Sequence, residues 1–442
     1  MNRFSSRQRK ISYVVGLLVL LVPIVWLGMP ASQGSTLQGH LAGLRTKYDL
    51  GETDLGKVDP TSVTMNLVLL GLRGVAANLL WIDANEQQST KNWAQLRSDV
   101  NSIILLQPHF REVWRHHGWN LAYNVSVEWD AVEDRYYWVK EGGKFLMDGT
   151  RRNQTYSELY WETGRILGDK IGNSDEWRDF RKFFVVDPDV EKYDGGTDPE
   201  LNPFGRDDNY LAAKDKFFEA NKTESVHGQT MMMRVLFRQW PYRSQMNYAA
   251  TLQREGNFGE VARIAWEDSY REWIDEYGQE PFKSTVGDVR LAATNGDLMR
   301  WAEEREDATY EEIKATHDMI VNLTKFDYWA VRARSEAEPE TLAAHREIYD
   351  GQLRFKEAKL NEASDLLEAG MKKFARLLDR HPQLKVDDTA IEEAMMAMLY
   401  WRYSFQLRNM QPPNDYALKT VWDENQNRLM QLMEEFRFEN GL

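Results

Sequence analysis

The chain has 442 residues, 69 acidic and 55 basic side chains, a formal charge of −14 and no cysteine. It can therefore form no disulfide, no thiolate-held zinc or iron–sulfur site and no cysteine nucleophile. An acidic balance without clustered Lys and Arg disfavours a general polyanion binder, so no nucleic-acid partner is expected.

Arg3, Arg7, Arg9 and Lys10 form a basic tail (1–10) before the uncharged run Ile11–Met29. Nineteen helical residues span about 28 Å, enough to cross a hydrocarbon core of about 30 Å. Met29-Pro30-Ala31 is a poor cleavage site. The run is expected to be a single transmembrane signal anchor (11–29). The positive-inside rule keeps the N-terminus in the cytoplasm and places the rest in the periplasm or a corresponding outer space. Beyond the anchor, 51 basic residues face 69 acidic ones, or −18. A second apolar stretch, Leu67–Ile82, contains Arg73 and Asn78, which fits a packed or membrane-resting helix better than a span.

Residues 30–60 are rich in Gly, Ser and Thr and read as a linker. From residue 61 on, the pattern is helical. Ala363, Leu366, Leu367, Gly370, Phe374, Leu377 and Leu378 make one stripe, ended by His381-Pro382. Val261, Ile264, Ala265, Trp273, Ile274 and Tyr277 make another, closed by Gly278. No run alternates as a strand bounded by hairpin turns, so the expected class is all-α. Residues 187–209 hold eight acids, two bases, three prolines and three glycines, and read as an acidic exposed loop. It separates a helical region at 61–186 from a second one at 210–442.

A 34-residue frame starting at Ala77 puts Ala84 at its eighth position and Pro108 at its thirty-second. The next frame, from Arg111, puts Trp114 fourth and Gly118 eighth; a third start at Ser157 gives Tyr160 and Gly164 the same roles. Small residues there let two helices approach, and the proline ends the second. Gly256-Asn257-Phe258 with Ala262 has the character of an inter-helix turn, and Gly351, Ala363 and Gly370 match small positions further on. This pattern resembles the tetratricopeptide-repeat (TPR) family, and the segments GLRGVAANLLWIDA, LLQPHF and VWRHHGWNLAYNVSVEWD also look like an uncharacterised bacterial family of membrane-anchored TPR-like proteins.

The resemblance implies a helix-turn-helix solenoid whose first helices line a concave groove for a peptide or protein. Carried across, the groove positions are Asn78, Trp81 and Asn85 in the first unit. In the second they are Glu112, Arg115, Trp119 and Tyr123, and in the third Glu158, Trp161 and Arg165. Aromatic and arginine side chains are what interface hot spots are made of. The family's clamp for a terminal carboxylate needs lysines at set groove positions, and none stands there. The −18 ectodomain is expected to favour basic partners at low salt.

Chemical motifs are sparse. His109, Glu112 and His116, with His117 beside them, have the residue types of a zinc or iron site but match no established spacing. Asp187, Asp189 and Glu191 alternate as at the start of a calcium loop, but Lys192 stands where a glycine is needed. Gly142-Gly143-Lys144 lacks the remaining residues of a phosphate loop, with Trp138 and Phe145 in their places. No catalytic residue, metal or cofactor is nominated. The expectation is a membrane-anchored, non-enzymatic scaffold that binds a protein or peptide. The alternative is an envelope enzyme or carbohydrate-binding protein using tryptophan platforms and paired acids such as Glu128 and Asp130.

Overall fold

The computed structural model describes residues 73–441 except 229, 231 and 306, together with Tyr13, Val15, Gly16, Val19, Leu20, Val22 and Pro23. Those seven are helical and exposed. The rest of the expected tail, anchor and linker lies outside the described residues, as do residues 61–72. Among the described residues, no helix is long and apolar enough to cross a membrane. The fold is all-α, relieved by one two-residue turn between the antiparallel strands Phe282–Ser284 and Gly287–Val289. The chain divides into two compact units, 1–113 and 114–442.

In the first unit, the helices Arg73–Ser89 and Trp93–Leu106 pack on each other across a short turn. Ala77, Ala84, Leu96, Val100 and Ile103 are buried, while Leu79 and Ile82 are exposed. The described end of the apolar stretch, residues 77–82, is thus two-faced. Its turn is closed by Lys91 at φ 57° and by the Asn92 N–H donating to the Gln87 carbonyl. That is the left-handed cap that satisfies the orphan carbonyls of a helix end.

In the second unit, helices pack in a chain-order series, several of them across intervening elements. Val132–Arg152 packs on Ser157–Arg165, which packs on Asn209–His227, then Trp240–Arg254, Glu260–Asp275 and Phe326–Glu336 in turn. Pro339–Lys356 and Leu360–Arg380 form the most extensive pair, followed by Asp388–Gln406 and Leu429–Asn440. Glycine makes the close crossings. A Cβ at Gly164 would meet the Phe217 ring at 2.6 Å, one at Gly351 the Leu367 Cγ at 2.6 Å, and one at Gly370 the Ile348 Cγ1 at 2.8 Å.

The turn between Trp240–Arg254 and Glu260–Asp275 repeats the cap of the first unit. Gly256 has φ 85°, and the Asn257 N–H donates to the Leu252 carbonyl. The turn after Pro339–Lys356 is the same, with Ala358 at φ 60° and the Lys359 N–H on the Arg354 carbonyl.

The expected stripe of Leu360–Arg380 is found, with Ala363, Leu367, Gly370, Phe374, Leu377 and Leu378 buried and Leu366 half-buried. The stripe of Glu260–Asp275 is corrected. Val261 and Ile264 are exposed, and the buried face runs Ala262, Ala265, Trp266, Ser269 and Trp273. Trp266, outside that stripe, is 1% exposed and shares one core with Trp273 and Tyr277.

Residues 187–209 are mostly exposed, but Asp187, Asp198, Leu201, Asn202 and Asp208 are buried. The segment folds over the buried Lys140, whose ammonium lies 2.6 Å from Asp187 Oδ2 and 3.5 Å from Asp198 Oδ2. Tyr193 donates its hydroxyl to Asp198 at 2.6 Å and presents its ring to Lys140. Burial alone would raise the Asp198 carboxyl, but the Tyr193 hydroxyl, the Glu200 N–H and the two lysines hold it below its usual range.

Candidate functional site

The expected groove residues fall in both units. In the first, Asn78 and Asn85 are exposed, and Asn85 donates its amide to the Trp81 carbonyl at 2.8 Å. Trp81 is half-buried and tilted against Phe110, with centroids 5.9 Å apart. Glu112, at the start of the helix Arg111–Asn120, is half-buried.

In the second unit, Arg115 is half-buried, and Trp119 is 39% exposed and stacked on Tyr123 at 5.4 Å. The two rings are four residues apart and so share one side of the helix, which runs into a π-helical turn at Leu121–Val125. The Tyr123 hydroxyl is buried with no hydrogen-bond partner. Burial pushes it up to about 12, against the pull of Arg165. The Lys170 ammonium lies 5.3 Å from the Tyr123 ring.

The helix Ser157–Arg165 carries the third set, and it too runs into a π-helical turn, at Ile166–Lys170. Such turns cluster at functional sites. Arg165 lies 5.2 Å from the Trp161 ring and pairs with Asp169 at 3.3 Å. Trp161 is only 9% exposed, and Glu158, 5% exposed, accepts from the Tyr156 hydroxyl at 3.0 Å. The structure thus brings Trp119 to Tyr123 and Arg165 to Trp161.

Sequence reasoning missed the continuation. Trp240 meets Trp161 edge-on at 5.3 Å, and Phe217 lies 5.5 Å from Trp240. One turn along the same helix, the Arg243 guanidinium sits 3.2 Å from the Trp329 ring centroid, with Arg332 at 5.6 Å from the same ring. Burial first, and Arg332 second, press Arg243 down to about 9. Trp240 and Arg243 lie outside every repeat frame. The available signal was the recurring Trp-x-x-Arg of Trp240/Arg243 and Trp329/Arg332.

The other candidates settle elsewhere. Among the described residues, no three His, Asp or Glu side chains converge as metal ligands. His117 is buried edge-on to Phe145 at 4.9 Å, and Lys140 fills the space between Asp187 and Asp198. Gly142 and Gly143 lie inside the Val132–Arg152 helix. Trp114, at the large position of its frame, is 3% exposed and packs on Phe145 and Gly149. Glu128 and Asp130 are exposed on either side of Trp129, which stacks on Trp138 at 6.1 Å. No known protein family, curated protein or solved structure matches the chain.

Proposed function

We propose that this chain is a membrane-anchored, non-enzymatic scaffold of TPR-like helical repeats that holds a protein or peptide partner outside the cytoplasm. The observation that carries the reading is the band of Trp119, Tyr123, Trp161 and Arg165, extended by Trp240, Arg243 and Trp329. Rigid aromatic rings beside guanidinium groups are the side chains that dominate binding energy at interfaces. Three further features support the repeat reading. Helices pack in a chain-order series, the frame glycines Gly118, Gly164, Gly351 and Gly370 make close crossings, and the left-handed cap recurs at Lys91, Gly256 and Ala358. The anchor would raise the local concentration of whatever the band holds.

The test is a crosslinked pull-down of the tagged full-length chain from native membranes, compared with a Trp119→Ala, Arg165→Ala double variant of unchanged circular dichroism. A partner enriched by the wild type and lost with the variant is expected. Equal capture by both removes the band from the argument, and no specific partner at wild-type level removes the scaffold.

A further inference from the structure

Among the described residues Arg243 forms no ion pair, and its guanidinium lies 3.2 Å from the Trp329 ring centroid. Its Nε is buried with no acceptor, and the charges felt at it are those of Arg332, the Tyr277 hydroxyl and Asp169. None of them serves it. Asp169 accepts from Arg165, Tyr277 donates to the Val235 carbonyl at 2.7 Å, and Arg332 repels it. Two fully buried arginines are treated differently. Arg181 has Asp208, Asn209 and Glu255, and Arg238 has Glu224 and Glu280. A buried guanidinium stays protonated, and leaving it without an acceptor is destabilising. A buried polar group left unpaired calls for an explanation, and an acceptor supplied by a bound partner is one.

Other groups of the band repeat the imbalance. The Nε1–H groups of Trp161 and Trp240 are buried without acceptors, on two rings already in contact, and the Tyr123 hydroxyl is in the same condition. Indole and guanidinium nitrogens can only donate. The band therefore offers donors and a positive charge, whose complement is a carboxylate. One small anion would leave the rings of Trp119, Tyr123 and Trp329 without a role, so the carboxylate belongs to a peptide long enough to lie along them. The chain's overall negative charge does not oppose this at close range, since charges beyond about 8 Å are screened at physiological salt.

We propose that Arg243 seats an acidic side chain of the peptide partner, with the indole N–H groups of Trp161 and Trp240 donating beside it. This rests on the scaffold reading and names its ligand chemistry, against the expectation of a basic partner drawn from net charge.

The test uses the full chain with 15N-labelled tryptophan, reading the indole N–H resonances of Trp161 and Trp240, each assigned with its Phe variant. The probes, at fixed ionic strength, are a blocked Ala-Glu-Ala-Glu-Ala peptide, its Gln counterpart and free glutarate. Saturable shifts are expected with the Glu peptide. Binding should be at least about tenfold weaker for the Gln peptide and for Arg243→Gln, as for loss of a charge-assisted hydrogen bond, and largely kept in Arg243→Lys. Equal curves for the Glu and Gln peptides overturn the proposal on wild-type protein alone. So do glutarate binding as tight as the peptide, or no saturable shift. In the membrane pull-down, a partner held equally by wild type and Arg243→Gln removes the acidic seat and leaves the scaffold standing. A Glu-peptide response without any membrane partner does the reverse.

Discussion

The carbonyl oxygen of Gly118 occupies the space a side chain at Gly142 would need: a Cβ there would lie 2.6 Å from it and 3.0 Å from the Ala122 Cβ. The two backbones touch because both residues are glycine. A carbonyl cannot rotate out of the way, so Gly142→Ala should destabilise the chain by about 1–3 kcal/mol, less what alanine's helix propensity returns. At Gly143 the obstacle is only the Leu201 Cδ1 at 2.8 Å, the end of a flexible side chain. Gly143→Ala should be near neutral. Denaturant midpoints of the two variants decide it, and equal losses would mean that the Gly118 contact is not the cause.

Ala358 holds φ 60° at a position where the equivalent turn has Gly256. A left-handed backbone burdens any residue with a Cβ, and glycine is the usual occupant of this cap. Ala358→Gly should therefore stabilise the protein by about 0.5–1 kcal/mol, after allowing for glycine's greater freedom when unfolded. A lowered Tm would show that the helix end reads another geometry in solution.

Trp119 and Trp161 were expected to line the same groove, but they differ in burial, at 39% and 9% exposed. Trp161→Ala should cost about 3–5 kcal/mol, since the cavity beside Trp240 cannot close. Trp119→Ala should stay within about 1 kcal/mol, as an exposed substitution does. Thermal unfolding separates them. Similar losses at both positions would make Trp119 a core residue and withdraw it from the binding band.

The legible parts of this chain were those set by periodicity and by small residues. The stripe of Leu360–Arg380 and the crossings at Gly118, Gly164, Gly351 and Gly370 follow from spacing alone, because an i, i+3, i+4 pattern fixes which face is buried. The rest depends on contacts between distant segments. Nothing local to Val261 and Ile264 says that Trp266 will take the core face instead. The acids of residues 187–209 read as solvated because their partner, Lys140, stands 47 positions before Asp187. The Trp-x-x-Arg spacing marks Arg243, but the lack of an acceptor at its buried Nε is something no sequence pattern records. Ala358 adopts a turn its residue type disfavours, so the helix pairing imposed that turn on the chain.

Lys140 should prove to be the clasp of residues 187–209. Asp187 and Asp198 are 1% and 2% exposed, so removing the ammonium leaves two carboxylates buried without it. Lys140→Met, close to isosteric, should lower stability by about 3–5 kcal/mol, the range for breaking a buried ion pair on one side. Limited proteolysis should then cut within 187–209 first, while the helical circular-dichroism signal persists. Resistance equal to wild type would show that Leu201 and Tyr193 hold the segment without the lysine.

His345 carries a pH dependence whose direction follows from its two partners. Its Nε2 lies 2.9 Å from Glu336 Oε2 and its Nδ1 2.5 Å from Glu393 Oε1, with Phe374 edge-on at 5.6 Å. Burial by itself would push the imidazole down, but Glu393 and Glu336 outweigh it and raise it well above its ordinary 6.5. Glu336 moves the other way. Burial would raise it, yet His345, Arg332 and the Gln253 amide hold it below its ordinary 4.5. A raised histidine gives stability that is complete below its unfolded value of 6.5 and is lost as pH climbs through the folded value. A depressed carboxylate gives stability that is complete above 4.5 and is lost as pH falls. The triad therefore contributes most between the two ordinary values, at mildly acidic pH. Above that window wild-type stability should decline with a slope of up to about 1.4 kcal/mol per pH unit as the single proton is released. His345→Gln should be less stable at pH 6 and lack that slope. Chemical denaturation of both proteins from pH 5.5 to about 9.5 measures it, and an unchanged slope in the variant would assign the proton to another group.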